Sequence, residues 1–313
     1  MATSNSFNYS VTATDIFTEA LEIVGALDAG GTISSNDQTS CLRTLNMMVK
    51  QWSGNFDFAP GLKEFSRKRG YVFLQSGQSE YSIGPSGDNA TLTYVSTTMR
   101  ISGVASDSAL QVVSTTGMTA GDYIGIELDS GAIQWTTISS VTDSDTVAIS
   151  SLTSASSVGN SIFTYTTKLI RPLYIEEAVL RDMDGNDNPI YPISLSAYEH
   201  LPSKSADGMP GYFRYENNLT DGTVYLDIEP SDVSYVLRIT FIAPAEDYDA
   251  VTDTIAYPQE WFYPLSIGLA KLIAPKFGKS WTQDLQDNYT SALSMARSSY
   301  AETTDMYFQP GLE

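Results

Sequence analysis

The apolar positions of this chain change their spacing twice, and the two changes divide it into three stretches. In "TATDIFTEALEIVGAL", Ile16, Ala20, Ile23 and Leu27 recur at one-face helical spacing. Thr12 and Asp15 form a capping-box start, and the glycines of "DAGG" (28–31) are the expected stop. "SSNDQTSCLRTLNMMVKQW" predicts a second helix with Leu42, Leu45, Val49 and Trp52 as its apolar stripe. Two amphipathic helices joined by a short glycine loop predict an antiparallel hairpin.

After "SGNFDFAPG" (53–61) the period shortens to two. "YVFLQSGQSEYSIG" and "TLTYVSTTMRISGV" read as short strands, and turn signals at "TTGMTAGD", "DSG" and "DSD" continue the pattern. "YFRYEN", "TVYLDIEP" and "YVLRITFIAP" add strands; in the last, Leu237, Ile239 and Phe241 alternate with Val236, Arg238 and Thr240. From Tyr257 the helical spacing returns. Pro264 fits a first helical position, with Leu265, Leu269, Leu272 and Ile273 on one face behind it. Pro275 and Gly278 should end that helix. Ser280 and Gln283 then match a capping box for a last helix carrying Leu285, Tyr289, Leu293 and Ala296.

The expected class is therefore α+β. A helical bundle from both ends (1–65 and 255–302) would flank a main β body (66–99 and 168–254). Within it lies a β insertion (100–167) of small sandwich or barrel type, and an arm (303–313) closes the chain. The insertion is unusual in composition: Ile101 to Thr167 contains no Lys, Arg, His or Cys.

Charge narrows the function. With 17 basic against 37 acidic residues the chain carries net −20, which repels phosphate backbones and anionic lipid. One cysteine, Cys41, gives no disulfide framework and no thiolate-rich metal site. "MATSNSFNYS" lacks the basic start and apolar stretch of a secretory signal, and no apolar run reaches the roughly 20 residues of a membrane span. Synthesis in the cytoplasm and no membrane partner are the expectations.

Candidate chemistry is sparse. His200, the sole histidine, lies in no nucleophile motif and reads as a turn residue. Cys41 beside Leu42 reads as a small buried residue. In "DMDGNDNPIYPI" Asp182, Asp184 and Asn186 match positions 1, 3 and 5 of a calcium loop. Asp187 replaces its glycine and Ile193 its bidentate glutamate, so a turn on Asp184-Gly185 explains the segment better. Glu176 and Glu177, adjacent on a strand, should face opposite ways and so cannot flank one glycosidic bond. The basic cluster Arg67, Lys68 and Arg69 splits by alternation between two faces, which fits pairing with a neighbouring subunit's carboxylates or a place in a lumen better than a nucleic-acid groove. No catalytic residue, cofactor or metal site emerges, and an enzyme is not expected. Trp135 in "IQWTTI" is the one candidate sugar platform.

Beside these readings, the order of segments resembles the head-to-tail adaptor (tail accessory, or packaged-DNA-stabilisation) proteins of short-tailed bacteriophages. The resemblance rests on Gly30, Gly31, Ile33 and Ser34, then Leu45, Asn46, Met48 and Trp52. "RPLYIEEAVLRD", "MPGYFRYENN", "VYLDIEPSDVSYVLRITFIAP" and "YPQEWFYPLSIGLAKLIAPKFG" extend it across most of residues 12–300. It implies a structural protein at the head–tail junction of a virion. That protein would form a ring, expected as a dodecamer, docked on the portal and carrying the tail nozzle or hub, with a tail fibre as a further partner. Double-stranded DNA would pass without specific binding and be retained after packaging. It also implies a portal-contact arm, here Tyr300, Met306, Tyr307 and Phe308. The alternative from another class is a carbohydrate-binding decoration or fibre-attachment protein that uses the β insertion.

Overall fold

The computed structural model describes residues 6–53 and 66–298. The chain divides after Ser66 and again before Pro244 into two compact units, one of the described residues on either side of these points and one made of Arg67–Ala243. The class is α+β.

In the first unit, α1 (Ala13–Ile23) opens on the expected capping box: Thr12 accepts from the Asp15 N–H, and the Asp15 carboxylate accepts from Thr12. It ends earlier than its apolar spacing predicts. Gly25 adopts φ +65°, its N–H donates to Glu22 O, and Ala26 N–H donates to Leu21 O, so the last carbonyls are satisfied there and not at Gly30-Gly31. Helix α2 (Ser35–Ser53) is capped by Ser34 and buries Cys41, Thr44, Leu45, Met48 and Val49.

A short α3 (Leu195–Glu199) belongs to the second unit. Helix α4 (Phe262–Ile273) is buried on nearly every side, and α1, α2 and α5 (Gln283–Ser298) all pack against it. Pro264 is its third residue, where the missing N–H is still no loss, because a 3₁₀ turn over Gln259–Trp261 leads in. Leu272, expected on the buried face, is exposed. The cap of α5 is Thr282, which accepts from Leu285 N–H (3.3 Å), and not Ser280.

The expected helical bundle does not hold. Helices are few, and their core is completed by extended chain: Val11, Tyr248 and Ile255 share the cluster of Phe17, Leu45 and Leu265. That extended chain is stitched to the N-terminal segment by backbone bonds, Ala13 N–H to Asp253 O (2.9 Å) and Ile255 N–H to Val11 O (2.9 Å).

The second unit is built on an eight-stranded, nearly closed, barrel-like sheet in the order β2-β15-β14-β12-β11-β17-β1-β3. Its longest strands are β1 (Arg67–Phe73), β11 (Tyr174–Asp182) and β17 (Tyr235–Ile242), and β11 and β1 flank β17 antiparallel. β2 (Glu80–Ile83), β3 (Ala90–Thr91), β12 (Asp187–Pro192), β14 (Tyr212–Asn217) and β15 (Gly222–Leu226) complete it, while β13 (Asp207–Gly208) and β16 (Glu229–Pro230) pair with each other. Val72, Tyr81, Phe213, Leu237 and Phe241 fill its core. The alternation expected in β17 is incomplete, because Val236 is buried as well, on the opposite face.

That opposite face carries the insertion. β4 (Val95–Thr98), β6 (Tyr123–Glu127), β7 (Ile133–Thr137) and β10 (Ser161–Tyr165) form one sheet. β5 (Ala109–Gln111), β8 (Ser140–Val141) and β9 (Thr146–Ala148) form another, and both cover a core of Leu110, Ile124, Ile126, Val147 and Ile162. β4, which in sequence reads as main body, pairs with β10 and so belongs here. Phe73 is the centre of the seam between sheet and insertion, with ring centroids of Phe163, Tyr94 and Trp135 at 4.6, 5.1 and 5.3 Å. Such aromatic pairs add about 0.5–1.5 kcal/mol each beyond burial.

Candidate interaction sites

The basic cluster lies on β1 and does not converge. Arg67 and Arg69 share a face with Tyr71, and Lys68 shares the other with Val72, as a pleated strand requires. Arg67 already meets a carboxylate of its own unit, with Nε 2.6 Å from Glu176 Oε2. Among the described residues Lys68 and Arg69 form no ion pair. Arg69 is exposed, and an incoming carboxylate could reach it. On the same face of the sheet Asp187 accepts from both Arg181 (2.8 and 2.9 Å) and Arg238 (2.9 Å). The Arg181 hydrogen bonds hold its carboxyl below the usual aspartate range.

The portal-contact residues Tyr300, Met306, Tyr307 and Phe308 lie outside the described residues.

The remaining candidates from the sequence have local structural roles. His200 caps α3 and its Nδ1 meets Ser196 O at 2.5 Å in an exposed position. Cys41 is fully buried, and desolvation pushes its thiol up to about 11, with Asp37 adding to the rise, so little thiolate exists at neutral pH. Asp182 spends its carboxylate on its own hairpin: Oδ1 accepts from the N–H groups of Asp184 (3.0 Å) and Asn186 (2.8 Å), and Oδ2 from the Asn186 amide (2.9 Å). Gly185, at φ +89°, makes the turn that this requires. For Glu176 and Glu177, strict alternation fails because β11 carries a bulge at that point. Glu176 is held by Arg67 and by the Tyr174 hydroxyl (3.0 Å), whereas Glu177 is exposed.

Trp135 is half-buried in the seam. Gly125 stands directly opposite on β6, and a Cβ there would lie 2.6 Å from Trp135 Cη2, so the indole rests on bare backbone. The ring also packs on Tyr165 at 5.6 Å. Next to it, between the segments that flank β2 and strand β7, opens a cleft of about 290 Å³ lined by Trp135, Gln75, Gln78, Ser82, Asp88 and Asn89 over a floor of buried Phe73 and Ile133. Gln75 joins the two walls by accepting from Ile133 N–H at 2.8 Å. Trp135 alone was legible as a candidate; Asn89 carries no sequence signal, since only folding sets it beside a residue 46 positions later.

The helical unit holds a second concavity of about 350 Å³ where α2, α4 and α5 meet. Its charged lining is cationic, Lys271 and Arg297, in a chain that is otherwise acidic. Trp52 lies over Gly268, where a Cβ would come within 2.9 Å of the ring, and tilts against Trp261 at 6.2 Å. Among the described residues, the indole N–H of Trp261 and Nε of Arg297, both in its lining, are buried without an acceptor.

Among the described residues no helix is long and apolar enough to cross a membrane, and no cluster of three or more His, Cys, Asp or Glu could hold a metal ion. No protein-family model matches the chain, and no curated protein matches it either.

Proposed function

We infer that this chain is a structural adaptor of a short-tailed phage virion, a ring seated between the portal and the tail nozzle through which DNA passes. The observation that supports this reading is the division of labour along the chain. The described residues before Arg67 and after Ala243 fold into one helical unit, and the whole β segment Arg67–Ala243 forms another. Residues behind the resemblance have work in the helical unit: Asn46 ties α2 to the returning chain, and Met48 and Trp52 pack on Gly268. An adaptor needs such docking surfaces more than reactive groups, because heterologous ring contacts require two complementary patches on each copy. The acidic surface suits a passage for DNA, since affinity for a duplex comes from neutralising its phosphates.

Negative-stain imaging of the purified protein, alone and mixed with a portal ring, tests the reading. A ring with an open centre on the portal is expected; a monomer indifferent to the portal overturns it. Deleting residues 301–313 should abolish docking and leave the fold intact.

A further inference from the structure

The cleft beside Trp135 has no part in the adaptor reading, and its lining is that of a small-ligand site. Its walls come from two packed elements fixed to each other by the Gln75–Ile133 bond, so the shape exists before any ligand arrives. Its size, about 290 Å³, is at the lower edge of the ~300–1,000 Å³ usual for such sites, which suits one ring and not a chain of them.

The polar groups narrow the ligand class. The Asn89 side-chain amide is half-buried and has no hydrogen-bond partner among the described residues, although its backbone carbonyl accepts from Phe73 N–H (2.8 Å). The Ser82 hydroxyl stands at the rim, also without a side-chain partner among the described residues. The one charged lining residue, Asp88, is already balanced by Lys168. An anion would meet Asp88 with no uncommitted cation in the lining, and a cation would compete with Lys168. A wholly apolar ligand would bury the Asn89 amide unsatisfied, at a cost of about 1–3 kcal/mol. What remains is a neutral ring with hydroxyls on its edge and C–H groups on its face.

We propose that this cleft binds a single pyranose sugar ring. The indole of Trp135 packs on the C–H face, and the Asn89 amide, which both donates and accepts, holds a pair of adjacent hydroxyls. The site therefore belongs to the seam between the insertion and the main sheet, and not to the insertion by itself.

The chain has four tryptophans, so the indole N–H region of a ¹H–¹⁵N spectrum of the full chain contains four signals, and Trp135→Phe identifies one of them. Methyl glycosides of glucose, galactose, mannose and N-acetylglucosamine are titrated to about 50 mM, a range that covers the weak, millimolar binding expected of one ring. At least one should shift the Trp135 signal saturably and leave the other three in place, and Asn89→Ala should weaken that binding about fivefold or more. No shift with any of the four, an equal shift in Asn89→Ala, or an equal shift with the open-chain polyol sorbitol would overturn the proposal. Unmoved signals from the other tryptophans report that the variant is folded. Portal docking by both variants should match the wild type, which separates this site's failure from that of the adaptor reading.

Discussion

Asn46 and Tyr248, 202 positions apart, exchange two hydrogen bonds: the Asn46 amide donates to Tyr248 O at 2.8 Å, and Tyr248 N–H donates to Asn46 Oδ1 at 2.9 Å. The side-chain amide stands in for a strand neighbour and satisfies both backbone groups of a residue whose side chain is in the helical core. Lys50, one turn on, pairs with Asp247 at 2.8 Å and reinforces the clasp only slightly, because both groups are exposed. Asn46→Ala should leave that donor and acceptor unpaired and cost about 1–3 kcal/mol in urea unfolding. Asn46→Asp keeps the acceptor and should cost less. Equal stability of Asn46→Ala and wild type would show that the clasp contributes nothing.

Trp261 presents the opposite case. It is fully buried, and its indole N–H has no acceptor among the described residues. Trp261→Phe removes the unsatisfied donor together with some volume, so the two effects oppose each other and the net change should stay within about 1.5 kcal/mol. Trp261→Ala leaves only the cavity and should cost about 3–5 kcal/mol. Denaturant midpoints of the pair give the comparison; a Phe variant as damaged as the Ala variant would mean that the N–H has a partner.

Gly125 is required for room, not for backbone freedom, since only the approach of Trp135 forbids a side chain there. Gly125→Ala should push the indole away from its rest and lower stability by about 1–3 kcal/mol. Thermal unfolding would measure the loss, and the Trp135 indole signal should move most among the four.

The Asp187 carboxylate, shared by Arg181 and Arg238, gives a pH signature. Its folded pKa lies below the unfolded value, so its contribution is fully present above the ordinary aspartate pKa of about 3.9 and is lost as pH falls through the folded value. Asp187→Asn should therefore lower the melting temperature at pH 7 by a small amount, as surface pairs are worth about 0–1 kcal/mol. The difference from wild type should shrink below pH 4 and vanish once the wild-type carboxylate is protonated. A difference that persists at pH 2 would assign the effect to packing.

Local signals were the most readable part of the sequence. The Thr12–Asp15 capping box, the Gly278 stop at φ +65° and the Asp184-Gly185 turn involve residues within a few positions of each other, and all three form. The errors have a common source in tertiary contact. Gly25 takes the stop role that Gly30 could also have filled, and Leu21, whose carbonyl accepts from Ala26 N–H there, is already buried in the core. The bundle fails because extended chain from 244–257 fills space that helices would otherwise cover. The cleft was half-visible at best: Trp135 stands out as a residue, but its polar partners Gln75, Gln78, Asp88 and Asn89 come from the connecting segments on either side of β2, which carry no periodic signal. β1 buries Val72 and Phe73 on opposite faces, so its polar side gives no hint that an entire second layer sits there.

The bonds between Val11–Ala13 and Asp253–Ile255 set an order of events during synthesis. When Ser53 leaves the ribosome, α1 and α2 have their apolar faces ready, yet α4, the helix they pack against, begins at Phe262. At about 5–20 residues per second, the intervening stretch takes on the order of ten to forty seconds to emerge. For that interval Phe17, Leu45 and Met48 have no finished core to enter, while Arg67–Ala243 can complete itself first. A truncated product that stops before α4 would thus display a bare apolar surface, which makes the late C-terminal helices the checkpoint that a full-length copy passes and a broken one does not.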